Sequence, residues 1–200
     1  KFIGFEKPPP LLQKESLNVW WGGHESDNEI YNTTVWVIVD IFTQYYDVNI
    51  GQDVLNLLKK CRVNIKVVSP KSSIVAMISC GLLNEAKNEL KMLYSQLENI
   101  SKNDLIVGIE PSEVLVWRDE ALNLIHGKPL NVLLFEELLL KLDSLEVLPK
   151  FNTLNSKVWV HEHCHQKVLA ETSNLIKVLA LIPQLQVEII NSGCCGMAGD

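Results

Sequence analysis

The chain has few cysteines, five in 200 residues, and no apolar run that approaches the roughly 18 residues needed to cross a bilayer. A membrane-spanning helix is not expected. Positive charge is scarce as well: 18 Lys and Arg stand against 24 Asp and Glu, for a net charge of -6 spread without long runs. That balance argues against a nucleic-acid footprint and against a polybasic membrane patch. No glycine-rich dinucleotide-binding loop is present, so a flavin or nicotinamide site is not expected within these residues. The N-terminal residues do not follow the basic, apolar, small-residue order of a signal peptide, and the cysteine count is odd. Together these point to a reducing cytoplasm, where clustered thiols are metal ligands more often than disulfides. The first residue is Lys1 rather than methionine, which fits a piece of something longer.

What is there is concentrated near the end. Val158-Trp159-Val160-His161-Glu162-His163-Cys164-His165-Gln166-Lys167 and Asn191-Ser192-Gly193-Cys194-Cys195-Gly196-Met197 hold three of the five cysteines and three of the five histidines. Between them Val168, Leu169, Thr172, Leu175, Ile176 and Leu179 recur at helical spacing, followed by an apolar run from Val187 to Ile190. A strand-helix-strand unit crosses over right-handed and lays its strands parallel, so both C-terminal ends emerge at one edge. Cys164 leaves the first strand, and Cys194 and Cys195 leave the second. Thiols thirty positions apart are thereby expected at the edge where open α/β sheets bind their ligands.

The rest of the chain alternates in the same way. Residues 1–34, with Pro8-Pro9-Pro10, Trp20-Trp21 and Gly22-Gly23, read as a lead-in or linker whose tryptophans are expected to pack on the chain's own core. Strands are expected from Val35 to Val39, Val63 to Val68 and Leu105 to Ile109, and helices from Gly51 to Lys60, Leu82 to Leu97, Ser112 to Ile125 and Val132 to Leu142. Cys61 falls at a helix-end core position and reads as a small buried hydrophobe, and Cys80 as a buried or incidental thiol. Alternating strands and helices imply a parallel α/β sheet.

The chain also matches itself. At an offset of 122, Phe42-Thr43-Gln44 falls on Cys164-His165-Gln166, Val54 and Leu57 on Ile176 and Leu179, Ile65, Val67 and Val68 on Val187, Ile189 and Ile190, and Ser72-Ser73 on Cys194-Cys195. The expected organisation is two pseudo-repeated parallel β-α-β halves, 35–150 and 151–200, the second stopping part-way at Asp200.

The chemistry of the thiols leaves more than one metal open. Adjacent cysteines such as Cys194 and Cys195 pair poorly with each other, because neighbouring side chains diverge and the ring is strained. Two thiols side by side before Gly196 suit a polynuclear iron-sulfur cluster, whose several irons offer sites to neighbouring ligands. Zinc is the rival, with His163 or His165 joining cysteines in a tetrahedral site. A Cys164/His165 nucleophile-base pair is disfavoured, since adjacent helical residues do not face each other and Cys194 and Cys195 are left without a role.

A lone cysteine some thirty residues before Cys-Cys-Gly, in a duplicated frame, resembles the cysteine-rich CCG-type domain of heterodisulfide reductases, of anaerobic glycerol-3-phosphate dehydrogenase, and of the iron-sulfur subunits of lactate and glycolate oxidases. His163-Cys164-His165-Gln166-Lys167 and Ser192-Gly193-Cys194-Cys195-Gly196-Met197-Ala198-Gly199 look closer still to the C-terminal part of FAD-linked oxidases and D-2-hydroxyacid dehydrogenases. Val39-Asp40-Ile41-Phe42-Thr43, Gly81-Leu82-Leu83-Asn84-Glu85-Ala86-Lys87 and Val107-Gly108-Ile109-Glu110-Pro111-Ser112 extend the likeness from about Val35 onward.

The resemblance implies an electron-transfer module holding an iron-sulfur cluster of the 4Fe-4S class, partnered by an FAD-binding domain on the same or another chain. It implies metal ligation by Cys164, Cys194 and Cys195, with His163 and His165 as further ligands or hydrogen-bonding neighbours. The first half departs from it. Ser72-Ser73-Ile74-Val75 stands where the family has Cys-Cys-Gly-Arg, and Glu110-Pro111-Ser112-Glu113 where it has Glu-Pro-Ser-Cys. The alternative is a degenerate relative that has lost redox chemistry and serves as a structural or interaction domain, with or without zinc.

Overall fold

The computed structural model describes residues 10–24, 31–126, 130–191 and 193. Four parallel strands form the main sheet in the order β2-β1-β3-β4: β1 Thr34–Ile38, β2 Asn64–Val68, β3 Leu105–Gly108 and β4 Val132–Leu133. The central strand reads Val-Trp-Val-Ile because a parallel strand is covered on both faces.

Its alternation sends Val35, Val37 and Val39 into one apolar cluster and Ile38 into another. On the first face lie α1 (Leu17–Gly22), α3 (Val48–Lys60) and α8 (Phe135–Ser144), contributing Leu17, Trp21, Val54, Leu55, Leu58, Leu138 and Leu142. On the second lie α4 (Ile74–Ser79), α5 (Leu83–Leu97), α6 (Pro111–Leu115) and α7 (Glu120–Ile125). In α5 the buried positions Ala86, Leu90, Leu93 and Leu97 recur at three- and four-residue spacing, one stripe of a regular helix. A short α2 (Ile41–Tyr45) links β1 to α3.

The second sheet pairs β5 (Ser156–Val160) with β6 (Leu185–Ile189) in parallel, joined through α9 (Cys164–Leu169) and α10 (Ser173–Leu179). β5 repeats the bounds of β1 at an offset of 122 residues. The two sheets are not independent: α9 packs on α6, α10 packs on α8, and Leu169 and Ala170 join the second-face core of the main sheet. Val158, Val160, Leu185 and Val187 share the half-buried face of the small sheet, while Lys157, Trp159, Gln186 and Glu188 lie on the opposite, exposed face.

Several sequence expectations need correction. The helix expected from Val132 to Leu142 begins with an edge strand, β4, and turns helical only at Phe135. A two-residue strand is too short to leave a periodic signal. The helix expected from Ser112 to Ile125 is three pieces, α6, a 3-10 turn at Val116–Arg118, and α7. Val114, Leu115, Val116 and Trp117 are all buried, and four consecutive positions cannot share one face of a regular helix.

Arg118 is drawn inward at the same place by the Glu137 carboxylate and the Val132 carbonyl. The helix between the small sheet's strands breaks at Ala170, which is extended, and the segment between β2 and α5 contains the short helix α4. Residues 17–22 of the lead-in form α1, and Trp21 packs on the chain's own core as expected. That helix sits so close that a Cβ at Gly51 would lie 2.2 Å from a Leu17 methyl.

Candidate metal centre

Helices α2, α4, α6 and α8 all start at the C-terminal edge of the main sheet, each following a strand. Asp40 caps α2, accepting from the Thr43 amide at 2.9 Å and the Thr43 hydroxyl at 2.7 Å. Glu110 caps α6, accepting from the Glu113 amide at 2.8 Å and from the Ser112 hydroxyl. Gly108 lets α6 descend over the strand end, since a Cβ there would lie 2.3 Å from a Val114 methyl.

Ser73 caps α4 by accepting from the Ala76 amide at 3.1 Å, and its hydroxyl donates to the Glu113 carboxylate, which also accepts from the Ile74 amide at 3.2 Å. Glu113 is only 7% exposed. Burial pushes its carboxyl above the usual range, the Ser73 bond pulls it back in part, and the charges of Glu110 and Asp40 push it further up. Asp40, Glu110, Glu113 and Trp117 line a narrow crevice at this edge, with room for little more than a water molecule.

The second half meets the same edge through α9. His163 caps this helix: its Nδ1 accepts from the His165 amide at 3.3 Å, while its own amide donates to Gln166 at 3.3 Å. The His163 and His165 rings meet edge to face at 5.5 Å. Gln166 is buried and donates through Nε2 to the Glu136 carboxylate of α8 at 2.7 Å. Burial pushes the Glu136 carboxyl up, and its hydrogen bonds, Gln166's among them, oppose that. One position further, Lys167 Nζ donates to the Gly193 carbonyl at 3.1 Å.

Cys164 is the first residue of α9 and half-buried, with His163 half-buried and His165 exposed beside it. Gly193 is tied to the same helix one turn on, while Cys194 and Cys195 lie outside the described residues. Among the described residues no group of three or more His, Cys, Asp or Glu side chains is arranged to hold a metal ion. His161 follows β5, half-buried. Cys61 lies in the core, its thiol pushed up to about 11 by burial, and Cys80 is exposed.

Thiolate is a far better partner for soft metals than hydroxyl or carboxylate, so Cys164 fits such a group. Ser73 and Glu113 do not, because each is already engaged with the other. The sequence offered no direct sign that Glu136, Gln166 and Lys167 hold α9 in place. The one available signal was that Gln44 and Gln166 fall together at the 122-residue offset and both are buried.

The comparisons with known proteins agree in class. The chain is 30% identical to D-2-hydroxyglutarate dehydrogenase of Escherichia coli K12 over a 207-residue alignment covering 95% of this chain and 20% of that protein. It is 25% identical to one subunit of the anaerobic glycerol-3-phosphate dehydrogenase of Escherichia coli K12 over 213 residues, 98% of this chain and 52% of its relative. The D-2-hydroxyglutarate dehydrogenase of Pantoea ananatis is 27% identical over 207 residues, with 95% and 20% covered. The chain therefore spans between a fifth and about half of these relatives. No protein-family model matches it, and no solved structure does. Among the described residues no helix is long and apolar enough to cross a membrane.

Proposed function

We propose that this chain is an iron-sulfur electron-transfer module of an FAD-linked 2-hydroxyacid oxidoreductase of the cytoplasm, with Cys164, Cys194 and Cys195 as thiolate ligands and the flavin on a separate domain or chain. The observation that carries the reading is the bond from Lys167 to Gly193, which holds the residue preceding Cys194 against the helix that begins at Cys164. Similarity to portions of two dehydrogenases supports the same class. An iron-sulfur cluster, when bound, carries electrons singly between a flavin and an acceptor.

This chain's own residues position the ligands: the His163–Gln166 cap fixes the start of α9, and Gln166 anchors it to Glu136. A neutral imidazole that accepts at Nδ1 carries its proton on Nε2, so ligation by His163 would require its cap to open, and His165 is the readier of the two. The reading includes the internal duplication into 35–150 and 151–200. It is supported by the matching bounds of β1 and β5, by the paired breaks α2/α3 and α9/α10, and by buried Gln44 and Gln166.

Anaerobic reconstitution with iron and sulfide tests it. The parent should take up both and absorb broadly in the visible, and Cys164→Ser should lose most of each. A parent that binds no iron would sink the proposal. The second reading is a non-redox structural or interaction domain, with or without zinc. The Ser73–Glu113 hydrogen bond favours it, because it occupies the place where the resemblance has cysteines. Colourless protein containing stoichiometric zinc, or no metal, is its expected result.

A further inference from the structure

We infer that the groove between α3 and the start of α8 is a docking site for the chain's own segment 2–7, Phe-Ile-Gly-Phe-Glu-Lys. The groove is lined by Ile50, Asp53, Val54, Leu57, Ile109 and Phe135, and about 330 Å³ of it is open, many times what one water needs. Positions 50, 53, 54 and 57 form one stripe of α3, so the groove runs lengthwise along that helix. Ile50 is 49% exposed, and Leu57, Ile109 and Phe135 are half-buried. Five of the six lining residues are apolar, and the sixth, Asp53, is an exposed carboxylate. Such a surface suits a segment that carries bulky apolar side chains and a cation.

The lead-in delivers that segment to this place. Gln13 is pinned just before α3: its amide donates to the Tyr45 carbonyl at 2.8 Å, and its Nε2 to the Tyr46 carbonyl at 3.2 Å. Ile50 follows in the first turn of α3. From Gln13 onward the chain takes the other flank of α3, where Leu17 meets Gly51, and no lead-in residue lines the groove among the described residues. Before the pin, Leu11 and Leu12 are 90% and 62% exposed, so the chain reaches Gln13 across the surface.

Reach and charge agree. Eight residues separate Phe5 from Gln13, among them Pro8-Pro9-Pro10, which favours extended chain; at about 3.1 Å per residue they span roughly 25 Å. The groove from Ile50 to Leu57 is only about 10.5 Å long at the helical rise. Coming from the Ile50 end, Lys7 meets Asp53 first, and Phe5, Ile3 and Phe2 follow over Val54 and Leu57. Docked there, segment 2–7 also covers Ile109 and Phe135, which stand just after β3 and β4. It then forms part of the surface at the C-terminal edge of the main sheet rather than a free linker.

The test is chymotrypsin cleavage after Phe5 in the 200-residue chain, followed as an initial rate by mass spectrometry, with the free peptide of residues 1–12 as reference. Cleavage in the parent should be at least about ten-fold slower than in the peptide. Ile50→Asp should speed it at least about five-fold, because an apolar contact is lost and a second carboxylate faces the aromatic rings, and Asp53→Lys should speed it about two-fold. Both positions are exposed, so both variants keep the parent's circular dichroism. Cleavage of the parent at the peptide's rate, or protection unchanged in Ile50→Asp, overturns the docking site. Protection that fades on dilution overturns it as well, because the groove would then hold the segment of a second copy. None of these outcomes depends on bound metal, so failure here and failure of the electron-transfer reading are distinguishable.

Discussion

Gln166 of α9 donates its side-chain amide to the Glu136 carboxylate of α8 at 2.7 Å, a bond that crosses the seam between the two sheets. Both partners are shielded from water, Gln166 fully and Glu136 in part. The bond also fixes the start of the helix that carries Cys164, because the other end of the same amide accepts from His163.

Replacing Gln166 by Leu should therefore cost about 1–3 kcal/mol, the penalty for stranding a shielded carboxylate. A urea-denaturation midpoint measures the loss. Hydrogen exchange should rise across α9 and the start of α8 and stay constant across β1 and β3. Unchanged exchange in α9 would contradict the anchoring role.

Glu113 sets a pH dependence of known sign. Its folded-state carboxyl titrates above its unfolded value because it is buried, so the folded state binds that proton more tightly. The stability it contributes is full below the unfolded pKa and is lost as pH rises through the folded one. Each unit of elevation is worth about 1.4 kcal/mol. Glu113→Gln removes the titration, so the variant should gain on the parent as pH is raised from 4 to 8. A difference in urea midpoint that stays flat across that range would show that Glu113 titrates normally.

Gly108→Ala should destabilise the first half by about 1–3 kcal/mol, since the new methyl meets Val114 at 2.3 Å in a filled core. Combining it with Val114→Ala should recover part of the loss. Thermal melts of the two single variants and the double variant form the cycle, and additive losses would mean that the two sites are not in contact.

The first half should accept metal once its ligands are supplied. Ser73→Cys with Glu113→Cys, and Ile74→Gly to make room, should raise iron and sulfide content after anaerobic reconstitution above the parent, because thiolate holds a soft cluster better than hydroxyl or carboxylate. Cys164→Ser should abolish the gain. Cys61→Ala should change nothing, since that thiol stays protonated in the core with a pKa pushed up to about 11. If Cys61→Ala or Cys80→Ala lowers what the parent binds, the ligand assignment is wrong.

The strands were legible where burial on both faces enforces a run of branched apolar residues, as in Val35, Val37 and Val39, and α5 was legible from its stripe of Ala86, Leu90, Leu93 and Leu97. Elements whose shape depends on distant partners were not. The kink at Arg118 needs Glu137, and β4 needs β3 beside it. At the site, the pairing of Ser73 with Glu113 could be anticipated, because both stand at positions where the resembled family has cysteines. Glu136 could not: a glutamate in a first helical turn looks the same whether it faces water or a glutamine from another sheet.

Of the five tryptophans, only Trp159 belongs to the second half. It stands 59% exposed on the small sheet with Lys157 over its ring at 4.8 Å, while Trp117 of the first half and Trp21 of the lead-in, packed on that half's core, are buried. The chain thus carries its own pair of optical probes. Red-shifted emission that iodide quenches comes largely from the exposed indole of the second half, and blue emission shielded from quencher comes from the first. The halves can be followed separately in one unlabelled sample, so a fluorescence trace alone reports whether the seam at Gln166 opens before the main sheet comes apart.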